Sequence, residues 1–432
     1  MRKLHFLSYY YPPVPSVASK RNFRLYRILS SVYDETTIYT TSNSQFFKPL
    51  GSTNTPSFIR VLATFDYRTL LLLFKRGEQN KIHVDEVKKQ GKPVRFFIRL
   101  NDTMPFSFAF GEGGFVFIIA AIWRLLRAID KDSENVVFTS YRPSANILVG
   151  YMVKRFKPGI KWVVSMHDLP YVRKKPNAYF PALQKYIWRK FLQKSDKVIT
   201  VSEGQAAALR EYGIRPLTIR NGVDIRTPVS KDNERFTIAF TGSVYQELMD
   251  PGILFKCLQQ MIHSGDLEVS RLKIIYAGKD GKYWMHKASQ YPDVAGCTEN
   301  FGIVAESAAM NIQDNANINY LMSWNDSQVY GVLTGKFFEY VGARNPIITL
   351  VNGHYDQEFE SIFSILHCGM VCYTQDKDYE EKMQHFIRDK YHLWLSGEYD
   401  KTYTALDRLT EWTWENRSKQ LKVALNDFLV QQ

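Results

Sequence analysis

The residues best suited to chemistry in this 432-residue chain lie in one stretch, Gly331-Val332-Leu333-Thr334-Gly335-Lys336-Phe337-Phe338-Glu339-Tyr340. Thr334 can N-cap a helix that begins at Gly335, and glycine there lets backbone approach a ligand closely. Lys336 and Glu339 are three apart, so they share a face near the helix N-terminus. Such a terminus attracts phosphate through its N–H groups and dipole, and the lysine adds a full charge. A carboxylate one turn in can accept hydrogen bonds from a ribose diol. Together these parts would hold a nucleoside diphosphate. The same residues also fit a plain surface ion pair on a capped helix. Phe337, Phe338 and Val341 fall on the core side, and Asn345-Pro346 ends the helix before a buried strand.

That helix needs a scaffold, and the chain supplies one by alternating short β-branched runs with amphipathic stretches, the pattern of parallel βα units. A first series reads as strands at Lys3–Ser8, Thr37–Thr41, Phe58–Ala63, Val136–Thr139, Trp162–Met166, Val198–Val201 and Leu217–Arg220. Helices fit at Ser19–Ser30, Ala145–Phe156, Tyr179–Leu192 and Glu203–Tyr212. A second series has strands at Thr237–Thr241, Leu272–Ala277, Ile318–Met322, Ile347–Val351 and Met370–Tyr373. Its helices fit at Pro251–His263, Ser307–Asp314, Gly335–Ala343 and Glu380–Ile387, and an amphipathic helix, Trp412–Leu429, closes the chain. The length suits two domains. We expect α/β domains at 1–225 and 226–410, with 411–432 joined to the first and a polar linker at Lys231 to Arg235. Residues 66–114 carry apolar patches at Leu70–Phe74 and Phe106–Phe110 without a clean period. They read either as an elaborated substrate or membrane face or as an ordinary insertion.

Several functions are excluded. Tyrosines and prolines follow the first strand where a dinucleotide fold needs glycines, and Gly111-Glu112-Gly113-Gly114 has the wrong spacing. No Gly-Lys pair is followed by Ser or Thr, so no P-loop is present, and no H-E-x-x-H or G-x-S-x-G motif occurs. Cys257, Cys297, Cys368 and Cys372 read as buried thiols rather than a zinc site, and their scarcity fits a reducing cytosol. No metal or other cofactor is expected. The N-terminus lacks a signal-peptide pattern, and the apolar run Phe115 to Trp123 is too short to span a bilayer. The net charge of +13 is uneven: residues 1–225 hold 36 Lys and Arg against 16 Asp and Glu, +20, and the remainder is −7. This argues against a nucleic-acid coat. It suits a half that meets anionic lipid or a phosphate-bearing substrate, or a solvated basic surface. Lys20, Arg24 and Arg27 fall on one helical face, and Arg173-Lys174-Lys175 adds a second basic cluster.

The central stretch resembles the donor-binding motif of glycosyltransferase family 4 in its G-K-x-F-E-Y form. Tyr9-Tyr10-Tyr11-Pro12-Pro13 with Ser16 to Arg21 resembles that family's first strand and acceptor-side loop. Lys197 to Glu203 and Arg220 to Asp224 resemble the end of its first domain, and Glu411 to Arg417 its C-terminal helix. The resemblance spans nearly the whole chain and is weakest over 66–114.

The resemblance implies a GT-B fold: two Rossmann-like βαβ domains facing across a cleft, with the C-terminal helix returning to the first. It implies retaining transfer of a sugar from a nucleotide-sugar donor in the second domain to an acceptor in the first, without a metal. Glu339 matches the ribose carboxylate, Thr334 and Gly335 the backbone at the diphosphate, and Gly242-Ser243 a turn that approaches the phosphates. Lys336 joins that donor set. His167 matches a catalytic histidine and stands beside Asp168; Ser16, Lys20 and Arg21 match the acceptor loop. A lone histidine is otherwise more often structural. The acceptor would be lipid-linked or a saccharide, as in bacterial capsule, lipopolysaccharide or exopolysaccharide synthesis, in the cytoplasm or on the inner face of the cell membrane. Two other outcomes fit the same fold: a nucleotide-sugar epimerase, and a non-catalytic glycan-binding protein. The chain departs from the family in three places. Gly331 replaces a second glutamate, Ser16-Val17 replace a glycine pair, and Gly242 to Glu247 lack the usual Arg and Lys. Lys336 is the nearest substitute for that missing charge.

Overall fold

The computed structural model describes residues 1–14, 16–41, 56–65, 96, 99–100, 102–169, 178–227, 234–326, 330–399 and 403–430. Leu70–Phe74, Arg173-Lys174-Lys175 and Lys231 to Asn233 of the expected linker lie outside these residues. The chain forms two compact units, Met1–Arg220 with Ser418–Gln432, and Asn221–Arg417. Residues 221–225 and 411–417, assigned to the first domain from sequence, pack with the second unit. There Val223 pairs with Thr413, and the α-carbon of Gly222 lies against Trp414.

In the first unit the elements run β1 (Arg2–Leu7), α1 (Val17–Leu29), β2 (Glu35–Thr40), β3 (Ile59–Val61), α2 (Phe106–Phe110), α3 (Gly114–Ala128), β4 (Glu134–Tyr141), α4 (Ser144–Phe156), β5 (Lys161–Met166), α5 (Pro181–Leu192), β6 (Lys197–Thr200), α6 (Glu203–Arg210) and β7 (Leu217–Thr218). The strands are parallel, in the order β3-β2-β1-β4-β5-β6-β7. Strand order reverses between β1 and β4, so the C-terminal ends of these two strands frame the place where ligands enter such sheets. Phe6, Phe138, Val163 and Ile199 on one face of the sheet are buried with Leu25 and Leu29 of α1. Each such side chain stabilises the fold by roughly 1.5–3 kcal/mol.

In the second unit β8 (Phe236–Thr241), α7 (Gly252–His263), β9 (Leu272–Ala277), α8 (Gly281–Ala288), α9 (Pro292–Gly296), β10 (Thr298–Asn300), α10 (Glu306–Asn315), β11 (Ile318–Trp324), α11 (Gly335–Ala343), β12 (Ile347–Asn352), α12 (Gln357–Leu366), β13 (Gly369–Tyr373), α13 (Tyr379–Leu395) and α14 (Leu406–Thr410) follow. The parallel order is β10-β9-β8-β11-β12-β13, with its reversal between β8 and β11. Phe240, Tyr276 and Trp284 stack in the core beneath α7, and Phe337 and Val341 of α11 pack with Phe359 and Phe363 of α12. The last helix, α15 (Trp414–Val430), starts in the second unit; its Leu421 and Leu425 belong to the core of the first.

Most expected elements appear within a residue or two. Helix α3 is not among the helices expected from the sequence, where its first half reads only as an apolar run, although its apolar residues do carry a helical period. Its inner side chains Phe117, Ala121 and Leu125 are buried, and it packs on α4. The Phe106–Phe110 patch forms α2.

Candidate active site

In the second unit the strand-order reversal brings the expected donor residues together. β8 ends at Thr241, whose backbone N–H donates to the Tyr340 hydroxyl at 2.9 Å. Burial pushes the Tyr340 phenol up to about 12, so it stays protonated. Gly242 follows at φ 127°, in the left-handed half of conformational space that favours glycine. A Cβ at this position would overlap Cε and Nζ of Lys336. The lysine of α11 therefore lies directly over the turn that lacks the family's usual Arg and Lys. The turn is braced from below: Gly242 N–H donates to the Ala277 carbonyl at 2.6 Å and the Tyr276 hydroxyl to the Gly242 carbonyl at 2.8 Å. The Asp280 carboxylate accepts from Val244 N–H at 2.8 Å.

Glu339, one turn into α11, is oriented by Gln313 of α10. Gln313 Nε2 donates to Glu339 Oε2 at 3.1 Å and to Thr241 Oγ1 at 2.8 Å. Gln313 Oε1 accepts from Arg226, which is paired with Asp314 at 2.6 Å. Thr334 occupies the N-cap position of α11, but its hydroxyl does not cap the helix. Its Oγ1 is buried without a hydrogen-bond partner. Such a group is costly unless something satisfies it. Asp356 fixes the preceding loop by accepting from Gly331 N–H at 2.7 Å.

The first unit places its candidates less uniformly. His167 and Asp168 follow β5. Gln205 Nε2 donates to the His167 carbonyl at 3.0 Å, and Thr200 at the end of β6 holds Gln205 at 2.8 Å. The imidazole is mostly covered, and its Nδ1 makes no hydrogen bond. Burial lowers its pKa to about 4; Arg21 and Arg142 push the same way and Asp168 opposes them. The ring is therefore neutral near pH 7 and able to accept or donate a hydrogen bond to a hydroxyl. Asp168 Oδ2 lies 4.0 Å from His167 Nε2 and 3.7 Å from Arg142 Nε.

The three acceptor-loop residues do not converge. Ser16 N-caps α1, its hydroxyl accepting from Ser19 N–H at 3.1 Å. Arg21 is 3% exposed and donates to the Ile219 carbonyl, while its neighbour Lys20 is exposed. Successive helical positions differ by about 100°, so adjacent residues need not share a face. Arg21 cannot join an exposed basic face. Arg142, which sequence reasoning passed over, stands directly after β4 at the strand reversal. Its position between a strand end and Pro143 was the available signal. Gln313 left none, because only the packing of α10 on β8 and α11 gives it a role.

Among the described residues no group of three His, Cys, Asp or Glu side chains could hold a metal ion. None of the helices described is long and apolar enough to cross a membrane.

Residues 69–227 match the model of Glycosyltransferase Family 4. The chain has the GT-B fold, and this part of it is similar to glycosyltransferases of family 4. Solved structures agree on this fold along the whole length of the chain. It is similar to the lipopolysaccharide outer core galactosyltransferase WaaB in its apo form, with TM-score 0.57, 10% identity, and coverage of 98% of this chain and 99% of that one. The catalytic domain of Starch Synthase IV from Arabidopsis thaliana bound to ADP and acarbose gives TM-score 0.60 at 10% identity, covering 99% of both chains. The pneumococcal O-GlcNAc transferase GtfA in complex with UDP and GlcNAc gives 0.58 at 9% identity, also covering 99% of both. No curated protein matches the sequence of this chain.

Proposed function

We propose that the protein transfers a sugar, with retention of configuration, from a nucleoside-diphosphate donor held by the second unit to a lipid-linked or saccharide acceptor held by the first. The observation that carries this reading is the convergence of Lys336, Gly242 and Glu339 where strand order reverses between β8 and β11. A helix N-terminus, a lysine over a glycine turn and an oriented carboxylate are what a diphosphate joined to a ribose requires. Gly335 and Thr334 contribute the helix start, and Thr334 Oγ1 offers a buried hydroxyl to the ligand. Ser243 continues the Gly242 turn.

His167 and Asp168 supply the polar groups beside the acceptor hydroxyl. The departing phosphate takes its proton, and neutral His167 orients that hydroxyl. This chemistry needs no metal, because the charge on the departing diphosphate is offset by Lys336 and the helix end. We place the reaction in bacterial surface-polysaccharide synthesis, at the cytoplasmic side of a membrane whose anionic lipids attract the basic first unit.

The test is a panel of nucleotide sugars assayed for nucleotide release with wild type and Glu339→Gln. A donor should turn over, and Glu339→Gln should bind its nucleotide about tenfold or more weakly, since hydrogen bonds to a charged acceptor contribute roughly 1.5–3 kcal/mol. Unchanged nucleotide affinity in calorimetry would remove Glu339 from the site. Conversion of a nucleotide sugar without nucleotide release would make the protein an epimerase.

A further inference from the structure

Helix α3 buries Phe117, Ile118, Ala121 and Leu125, yet its other side is also apolar: Phe115 is 46% exposed, Ile119 63% and Trp123 46%. These three lie four residues apart, and the same step reaches Arg127, so they form one slowly winding stripe. The guanidinium of Arg127 sits 3.8 Å from the centre of the Trp123 ring, and that of Arg124 at 5.3 Å. The helix holds no acidic residue, and Arg124 and Arg127 are its only charges. Phe115 begins just past the C-terminal edge of the sheet, where the first-unit candidates lie, because α3 enters β4 at the opposite edge.

We infer that this stripe of α3 docks on the surface of an anionic lipid bilayer. The inference rests on the reading that the first unit works at a membrane, and it assigns the contact to α3 rather than to the basic face of α1. The chemistry fits a bilayer in sequence along the helix. Phenylalanine and isoleucine enter the acyl boundary, an indole sits at headgroup level, and two guanidiniums meet lipid phosphate. The excess of 36 Lys and Arg over 16 Asp and Glu in residues 1–225 complements negative headgroups. The basic positions of α1 have a smaller apolar surface beside them: Val17 is 56% and Phe23 37% exposed, with no exposed tryptophan, and Arg21 points inward.

The experiment is flotation of the full chain with phosphatidylcholine vesicles, with and without phosphatidylglycerol, at low and high salt. Ile119→Glu, Arg124→Gln with Arg127→Gln, and Arg24→Gln with Arg27→Gln are compared, with nucleotide binding and sedimentation measured on each. Wild type should float on the anionic vesicles at low salt. The two α3 variants should partition at least about tenfold less, while the α1 variant floats as wild type does. Flotation that survives both α3 changes and is lost with the α1 change overturns this assignment and leaves the membrane reading standing. Wild type that never floats overturns both, and leaves nucleotide-sugar turnover as a separate measurement. A dimer dissociated by Ile119→Glu overturns the assignment too, because the stripe then pairs two copies of the chain.

Discussion

Both units carry their candidate residues beyond the C-terminal ends of parallel strands, the second at its reversal between β8 and β11 and the first after β5, one strand beyond its reversal, but they hold them differently. In the second, Glu339, Thr241, Gln313 and Arg226 form one hydrogen-bonded chain, and Tyr276, Tyr340 and Asp280 brace the Gly242 turn beneath Lys336. In the first, His167 Nδ1 makes no hydrogen bond and Asp168 is 3.7 Å or more from each of its charged neighbours. A network fixed in advance suits a ligand part of constant shape, such as ribose with a diphosphate. A sparser arrangement around a buried neutral imidazole suits a hydroxyl that arrives on variable acceptors. On the proposed function, strand ends of the same kind of sheet would serve tight recognition in one unit and chemistry in the other.

Three predictions test this contrast, from the largest effect to the smallest. His167→Ala should lower turnover by about 10²–10⁴ while nucleotide affinity from calorimetry stays within twofold. A matching loss of nucleotide affinity would place the histidine with the donor and erase the contrast. The same group gives a pH dependence of stability. Its pKa is about 4 in the folded state against an ordinary 6.5. Above pH 6.5 neither state is charged and nothing is lost. As pH falls from 6.5 toward 4 the unfolded chain takes the proton first, so stability drops, by on the order of 3 kcal/mol. His167→Gln should flatten chemical-denaturation midpoints across that window, although His5, also lowered by burial, leaves part of the slope. An unchanged slope would show that His167 is not buried as described.

Second, Lys336→Met should weaken binding of the nucleoside diphosphate about tenfold and of the matching nucleoside hardly at all. Arg142→Gln should instead leave both affinities alone and raise the acceptor KM by a few fold. If Arg142→Gln weakened nucleotide binding as much as Lys336→Met, the division of labour between the units would fail. Third, and smallest, treatment with EDTA should leave turnover unchanged. Activity lost in EDTA and restored by magnesium or manganese would mean that the diphosphate charge is not offset by Lys336 and α11 alone.

The sequence by itself determined the parts whose information is local. The strands and helices of both series follow from short-range periodicity, and Gly335–Ala343 appears as the helix that its apolar spacing dictates, though without the Thr334 side-chain cap. Glu339 and Lys336 were legible as a pair because three residues on a helix are neighbours whatever surrounds them. The tertiary structure alone decided what lies across chain separations. It turned Arg21 inward and left Lys20 outside, although the two are adjacent. It brought Gln313 to Glu339, Lys336 over Gly242, and Arg142 beside Asp168. It also exposed an apolar side of α3 that composition reads as core. These contacts depend on which strand lies beside which and which helix face meets the sheet. Packing of the whole unit sets both, and no window of sequence contains them.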